Sequence, residues 1–110
     1  MSLDTTIVFS EEKKLLGIKP KGELDIFSSA EFKKQVVKDM DRHGFVDVEI
    51  DCAELTYVDS TGLGVLMFFV KEIESKDGKL KMINLKKNIA KLLLITKMDK
   101  FIELEGQLDG

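Results

Sequence analysis

The sequence predicts an α/β fold with a mixed, mostly parallel sheet, entered through an antiparallel hairpin and completed by crossover helices. Three observations predict it. Two β-branched or alternating segments open the chain on either side of the polar run Glu11-Glu12-Lys13-Lys14. Strand-like and helical patterns then alternate three times, the order that yields parallel strands with right-handed crossovers. Finally, 110 residues with 44% hydrophobic and 34% charged side chains suit one globular core and one domain, residues 1–110 with a core of about 5–104.

Residues 5–10 and 15–19 read as the hairpin. Pro20 cannot donate to a ladder, so with Gly22 it should mark a bulge or an edge where the second strand continues toward Leu24. Ser28 followed by Glu31 has the spacing of a capping box, in which each side chain bonds the other's backbone N–H. Phe32, Val36, Val37 and Met40 continue at helical spacing until Gly44 supplies a stop. Residues 45–52 carry the clearest strand signal, with Val46, Val48, Ile50 and Cys52 opposite Asp47, Glu49 and Asp51. Tyr57 and Val58 lead into Asp59-Ser60-Thr61, residue types favoured at a helix start, and Leu63, Leu66, Met67, Val70 and Ile73 then repeat at helical intervals. Residues 76–79 form a turn and 80–85 a short strand; Ile89, Leu92, Leu93 and Thr96 mark a third helix, and 101–104 a last strand.

Composition excludes several functions. The 17 Lys+Arg against 20 Asp+Glu give a net charge of −3, and no basic cluster exceeds a pair, which argues against binding DNA or RNA through phosphate neutralisation. The single Cys52 cannot form an internal disulfide, and with the single His43 it cannot build a Cys/His metal site. The longest apolar stretches, residues 63–70 and 92–95, fall well short of the roughly 20 residues that a membrane span needs. The first residues lack the basic and apolar regions of a secretory signal, so a reduced, cytoplasmic protein is expected.

The chemistry points to one place. A hydroxyl at a helix N-terminus faces free backbone N–H groups and the positive end of the helix dipole, where a phosphate gains charge-assisted hydrogen bonds. Ser60 has that position, with Gly62 and Gly64 in the first turn after it. Glycine inside a helix costs roughly 0.5–1 kcal/mol relative to alanine, so two in one turn need a reason. Spacing alone leaves the N-cap as the commoner role for Ser60.

The run Val58-Asp59-Ser60-Thr61-Gly62-Leu63-Gly64-Val65-Leu66 resembles the phosphorylation-site signature of bacterial STAS domains, specifically the anti-sigma factor antagonists. Gly22-Glu23-Leu24-Asp25 with Ala30 is similar to that family's second motif, and the order of elements agrees from about Thr5 to Leu104. The resemblance implies partner switching. The unphosphorylated antagonist binds an anti-sigma factor that is also a serine kinase, and a sigma factor is released to act in transcription. The kinase then phosphorylates the serine matching Ser60, which ends the complex, and a metal-dependent serine phosphatase restores it. Asp25, Asp59, Thr61, Gly62 and Gly64 match positions of the partner-binding surface. A protein of this kind is a substrate and a binder: no enzyme, no cofactor, no metal, and a monomer when free. One departure lies after the third helix, where many relatives carry a glycine and this chain reads Thr96-Lys97-Met98-Asp99-Lys100.

The other chemistry-bearing residues have plainer expectations. A serine hydrolase would need a base near Ser60, yet His43 falls at the end of the first helix and the pattern G-x-S-x-G is absent. Cys52 is expected to be inert core. Asp47, Glu49 and Asp51 should form a solvated or helix-covered face. Phe68 and Phe69 widen the apolar stripe of the second helix, and Lys86 and Lys87 read as ordinary surface charge. Two other functions fit the same motifs: a ligand- or nucleotide-sensing STAS module, for which no P-loop pattern is present, and a subunit of a larger sensory assembly.

Overall fold

A computed structural model describes residues 3–44 and 47–108. The elements run β1 (Leu3–Ser10), β2 (Leu15–Leu24), α1 (Ser29–His43), β3 (Asp47–Asp51), β4 (Leu55–Val58), α2 (Ser60–Glu74), β5 (Leu80–Leu85), α3 (Lys87–Ile95), a 3-10 turn (Met98–Lys100) and β6 (Glu103–Gly106). All strands join one sheet in the order β1-β2-β3-β5-β6, with β4 added to the far end of β2. β1 and β2 pair antiparallel and every other pairing is parallel. The expected α/β class with its opening hairpin is therefore observed.

The sheet register explains where the core lies. Ile7, Ile18, Ile50, Met82 and Leu104 stand side by side across five strands. The adjacent row, on the opposite face by the two-residue period of a strand, reads Val8, Gly17, Glu49, Lys81 and Glu103. One face is thus apolar and takes the helices. Phe32, Val36 and Met40 of α1, Val65, Leu66, Phe69, Val70 and Ile73 of α2, and Ile89, Ala90 and Leu93 of α3 are all buried in one cluster with the sheet. The other face is charged and open. Asp47, Glu49 and Asp51 belong to that solvated side; the Asp47 carboxylate accepts from Lys79 N–H, and that of Asp51 from Ala53 N–H and the Asn84 amide. Burial raises the Asp51 pKa, but the bonds from Asn84 and Ala53 and the charge of Lys19 outweigh it and hold the group below its ordinary value.

Several expectations need correction. Phe45 and Val46 lie outside the described residues, and β3 ends at Asp51, one residue before Cys52. The segment containing Tyr57 and Val58 is a strand of its own, β4, separated from β3 by a turn that Leu55 N–H closes onto Cys52 C=O at 3.1 Å. Pro20 is not at an edge. It sits where the pairing of β2 with β3 has ended at Ile18 and that with β4 has not begun at Gly22, so its missing N–H interrupts neither ladder. Gly22, at φ 120°, carries the expected bulge, seen as a register shift between Gly22 and Glu23. The last strand begins two residues later than expected, because the 3-10 turn draws Met98 and Ile102 into the core first. α3 ends through Lys97 at φ 61°, the left-handed conformation for which glycine is the usual choice.

Cys52 is fully buried, and burial followed by the nearby Asp51 charge pushes its thiol up to about 12. A thiolate is the reactive form, so a disulfide-exchange reagent at pH 8 should leave the native protein unlabelled and label Cys52 in denaturant. Labelling of the native chain at the rate of the unfolded one would contradict this burial.

Candidate functional site

β2 and β4 run parallel, with Glu23 opposite Tyr57 and Leu24 opposite Val58, so both strands release their chains at the same end of the sheet. Asp59 N–H extends the pairing by donating to Leu24 C=O at 3.2 Å. The residues that follow Leu24 and those that follow Val58 are brought together there, which is where α/β sheets usually present their ligands and partners.

Asp59 is the cap of α2, in extended conformation with φ −101° and ψ −173°. Its Oδ1 accepts from Gly62 N–H at 2.9 Å and its backbone oxygen from Leu63 N–H at 2.9 Å. Its Oδ2 reaches across to Ile26 N–H at 3.1 Å. The capping role that the sequence offered to Ser60 therefore belongs to Asp59, and Ser60 is the first residue of the helix. Ser60 and Thr61 are both exposed. The first turn carries no acidic side chain of its own, so the partial positive charge of the helix end is opposed only by the capping carboxylate.

The loop after β2 is held from within. Asp25 is only 6% exposed, and its Oδ1 accepts from Phe27 N–H at 2.9 Å and Ser28 N–H at 3.2 Å. The Ser28 hydroxyl donates to Glu23 C=O at 2.7 Å and accepts from Asp25 N–H at 3.0 Å. Ser28 is the residue before α1 but makes no side-chain cap, so the capping box expected with Glu31 does not form. The hydroxyl is spent on the loop instead. What this internal bonding leaves outward is Ile26 at 65% and Phe27 at 79% exposure. Neither gave a signal in the sequence, since two apolar residues in a loop have no periodicity to betray them.

The two glycines have different reasons. A Cβ on Gly62 would lie 2.5 Å from Leu24 C=O and 2.8 Å from Leu24 Cγ, so the first turn of α2 rests directly on the end of β2. A Cβ on Gly64 would meet nothing within 4 Å. Gly64 stands one helical turn beyond Ser60 on the same face, exposed, where the fold itself gives no cause for a glycine.

The site holds a primary alcohol with no histidine beside it among the described residues. His43 stands at the opposite end of α1 from the loop, about 20 Å along the helix, and stacks on Phe9 with ring centroids 4.0 Å apart. Among the described residues no group of three His, Cys, Asp or Glu side chains is placed to hold a metal ion, and no helix is long and apolar enough to cross a membrane. Lys86 is more than surface charge: its ammonium donates to Ala53 C=O at 2.9 Å, tying the start of α3 to the turn before β4. Phe69 is fully buried, whereas Phe68 is half-buried with the Lys33 ammonium 3.9 Å above its ring.

Removing the Asp59 carboxylate should be felt on both sides of the site. Asp59→Ala is expected to cost about 1–2 kcal/mol, the usual loss of a helix cap with one further bond. Amide exchange should accelerate at both Gly62 and Ile26; acceleration at Gly62 alone would show that the bridge to the loop contributes nothing.

A charged face without helices, crossovers on the other face, and an exposed helix-start serine braced by a neighbouring loop characterise this α/β domain. The STAS domain profile matches residues 6–109, and the chain belongs to that family. It is 29% identical over 89 residues to an anti-sigma-B factor antagonist of Bacillus subtilis, a match that spans 81% of this chain and 80% of that one. A Thermotoga maritima protein described as a candidate anti-sigma factor antagonist superposes with a TM-score of 0.84 at 21% identity, over 92% of this chain and 85% of that one. The Bacillus cell fate determinant SpoIIAA, in its phosphorylated form, superposes with a TM-score of 0.72 at 15% identity, over 92% and 90%. The relatives matched in sequence are named anti-sigma-B factor antagonists, which are regulatory binding proteins and not enzymes.

Proposed function

We propose that this chain is an anti-sigma factor antagonist that binds an anti-sigma factor while Ser60 is unphosphorylated, releases a sigma factor by doing so, and loses that complex when Ser60 is phosphorylated. The observation that carries the proposal is the separation of roles at the start of α2: Asp59 caps the helix, which leaves the adjoining Ser60 hydroxyl exposed and free of structural duty. The relatives named as antagonists support it, as does a protein of the same fold solved in a phosphorylated form. The binding surface comprises Ser60, Thr61 and Gly64 of α2 with Ile26 and Phe27 of the adjacent loop, while Asp25, Asp59 and Gly62 hold that surface in shape. The partner is an anti-sigma factor with serine kinase activity, and a serine phosphatase reverses the mark.

Phosphate would add about −1.5 to −2 charges beside the Asp59 carboxylate. Within the domain the first-turn N–H groups accommodate that charge, but a partner surface fitted to a neutral hydroxyl meets repulsion and a desolvation cost. The switch then acts on binding and leaves folding alone.

The test is intact-mass analysis with site mapping of protein incubated with its kinase partner or purified from its native host. Phosphate on Ser60 is expected; a modified chain with Ser60 untouched would overturn the reading. Ser60→Ala should fold, bind the partner and resist phosphorylation, with stability within about 0.5 kcal/mol of the parent because no cap is lost. An unfolded Ser60→Ala protein at ambient temperature would show the hydroxyl to be structural.

A further inference from the structure

The two outer strands of the sheet are built differently. β6 has four residues, Glu-Leu-Glu-Gly, and a register shift against β5 between Met82 and Leu85. Its glutamates Glu103 and Glu105 lie 3.6 and 2.7 Å from the Lys81 ammonium. Shortness, charge and a bulge are the devices by which proteins prevent an edge from recruiting another strand. β1 is neither short nor bulged, and its one charge, Asp4, lies near its start. Its eight residues pair with β2 in eight consecutive positions without a shift, and from Thr5 to Ser10 they include neither charge nor proline. Alternate residues of such an edge direct both N–H and C=O away from the sheet.

A groove runs beside this edge, between β1 and α1. It consists of two hollows of about 320 and 260 Å³ that share Thr5 and Gln35 as lining residues. One extends toward Phe27 and Glu31 and the other toward Lys38, Asp39 and Arg42.

We propose that β1 pairs antiparallel with β1 of a second copy of this chain, about a two-fold axis normal to the sheet. Directly opposed residues must share a face, so the axis passes through Thr6 or Ile7. In the first register Leu3 meets Phe9, Thr5 meets Ile7 and Asp4 meets Val8; in the second, Thr5 meets Phe9, Thr6 meets Val8 and Asp4 meets Ser10. Either way the strand's one charge, Asp4, faces a neutral side chain. The groove's ends also differ in charge: Glu31 lies at the end formed by the first turn of α1, while Lys38 and Arg42 outweigh Asp39 at the other, so an antiparallel copy sets acid against net base. This symmetry selects a second copy over an unrelated strand. The contact is small, and a dissociation constant on the order of 0.1 mM is expected.

Sedimentation equilibrium of the full chain tests the proposal. The weight-average mass should climb from the 12.4 kDa of one chain toward twice that value with concentration. Thr6→Lys, which sets an ammonium against the same ammonium of the other copy in the first register and against Val8 in the second, should hold the mass at one chain while circular dichroism stays that of the parent. A single-chain mass at about 1 mM, ten times the expected constant, overturns the proposal and assigns the edge no second copy. So does a dimer that survives in folded Thr6→Lys, since another face must then hold it. If Thr6→Lys fails to fold, amide exchange of the parent chain decides. Protection of β1 that rises with concentration while β6 is unchanged supports the pairing, and concentration-independent exchange of both strands overturns it.

Discussion

Phosphorylation of Ser60 is expected to weaken the complex with the anti-sigma partner by about 5- to 150-fold, the cost of roughly 1–3 kcal/mol for a mismatched buried polar contact. The melting temperature of the domain should move by no more than about 2 °C, because the added charge lies at the favourable end of α2. Ser60→Asp should fall between parent and phosphoprotein, since a carboxylate carries one charge where phosphate carries nearly two and has fewer acceptor oxygens. Calorimetric titration of the three forms against one partner preparation reads the order directly. Equal affinity of the phosphorylated and unmodified forms would remove the switch.

The second large effect separates the glycines. Gly62→Ala brings a methyl carbon to 2.5 Å from Leu24 C=O, a backbone atom with nowhere to retreat, and about 1–3 kcal/mol of stability should be lost as α2 lifts from β2. Gly64→Ala fills open space in a helix and should gain about 0.5–1 kcal/mol. Partner binding should be weakened by both substitutions, in one because the site is displaced and in the other because a side chain stands where a partner approaches Ser60. Denaturant unfolding combined with titration distinguishes the cases. A Gly64→Ala protein that is more stable and binds as tightly as the parent would remove Gly64 from the interface.

Much of this was legible from residue order. Periodicity together with a boundary signal placed α2 and β5: Asp59-Ser60-Thr61 precedes the apolar pattern of one, and the turn at Asp77-Gly78 that of the other. β4 was not legible. Its four residues are buried only at the two ends, Leu55 and Val58, so it shows neither strand nor helix period, and it exists because β2 runs on past β3 and needs a second neighbour. The cap of α2 was ambiguous among three consecutive residues of capping type, and the bond from Gly62 N–H to Asp59 singles out one of them. Ser28 was read with Glu31 as a local pair, whereas its partners, Glu23 and Asp25, precede it. A local motif and a loop brace use the same residue type, and sequence spacing does not say which backbone groups are left over to be satisfied.

The seat of Gly62 on Leu24 has a further consequence for tolerance to sequence drift. Where α2 meets β2 at the site, the Gly62 backbone lies against Leu24 C=O, so part of the spacing between the Ser60 helix and the strand that leads to the Ile26–Phe27 loop is set by main-chain contact, with the Leu24 and Val58 side chains completing it. Substitutions deeper in the core adjust through rotamers and small shifts that end at the backbone. The alignment of hydroxyl and loop therefore behaves as a fixed gauge within an adaptable interior, a mechanical reason for the same surface to outlast the replacement of most residues beneath it.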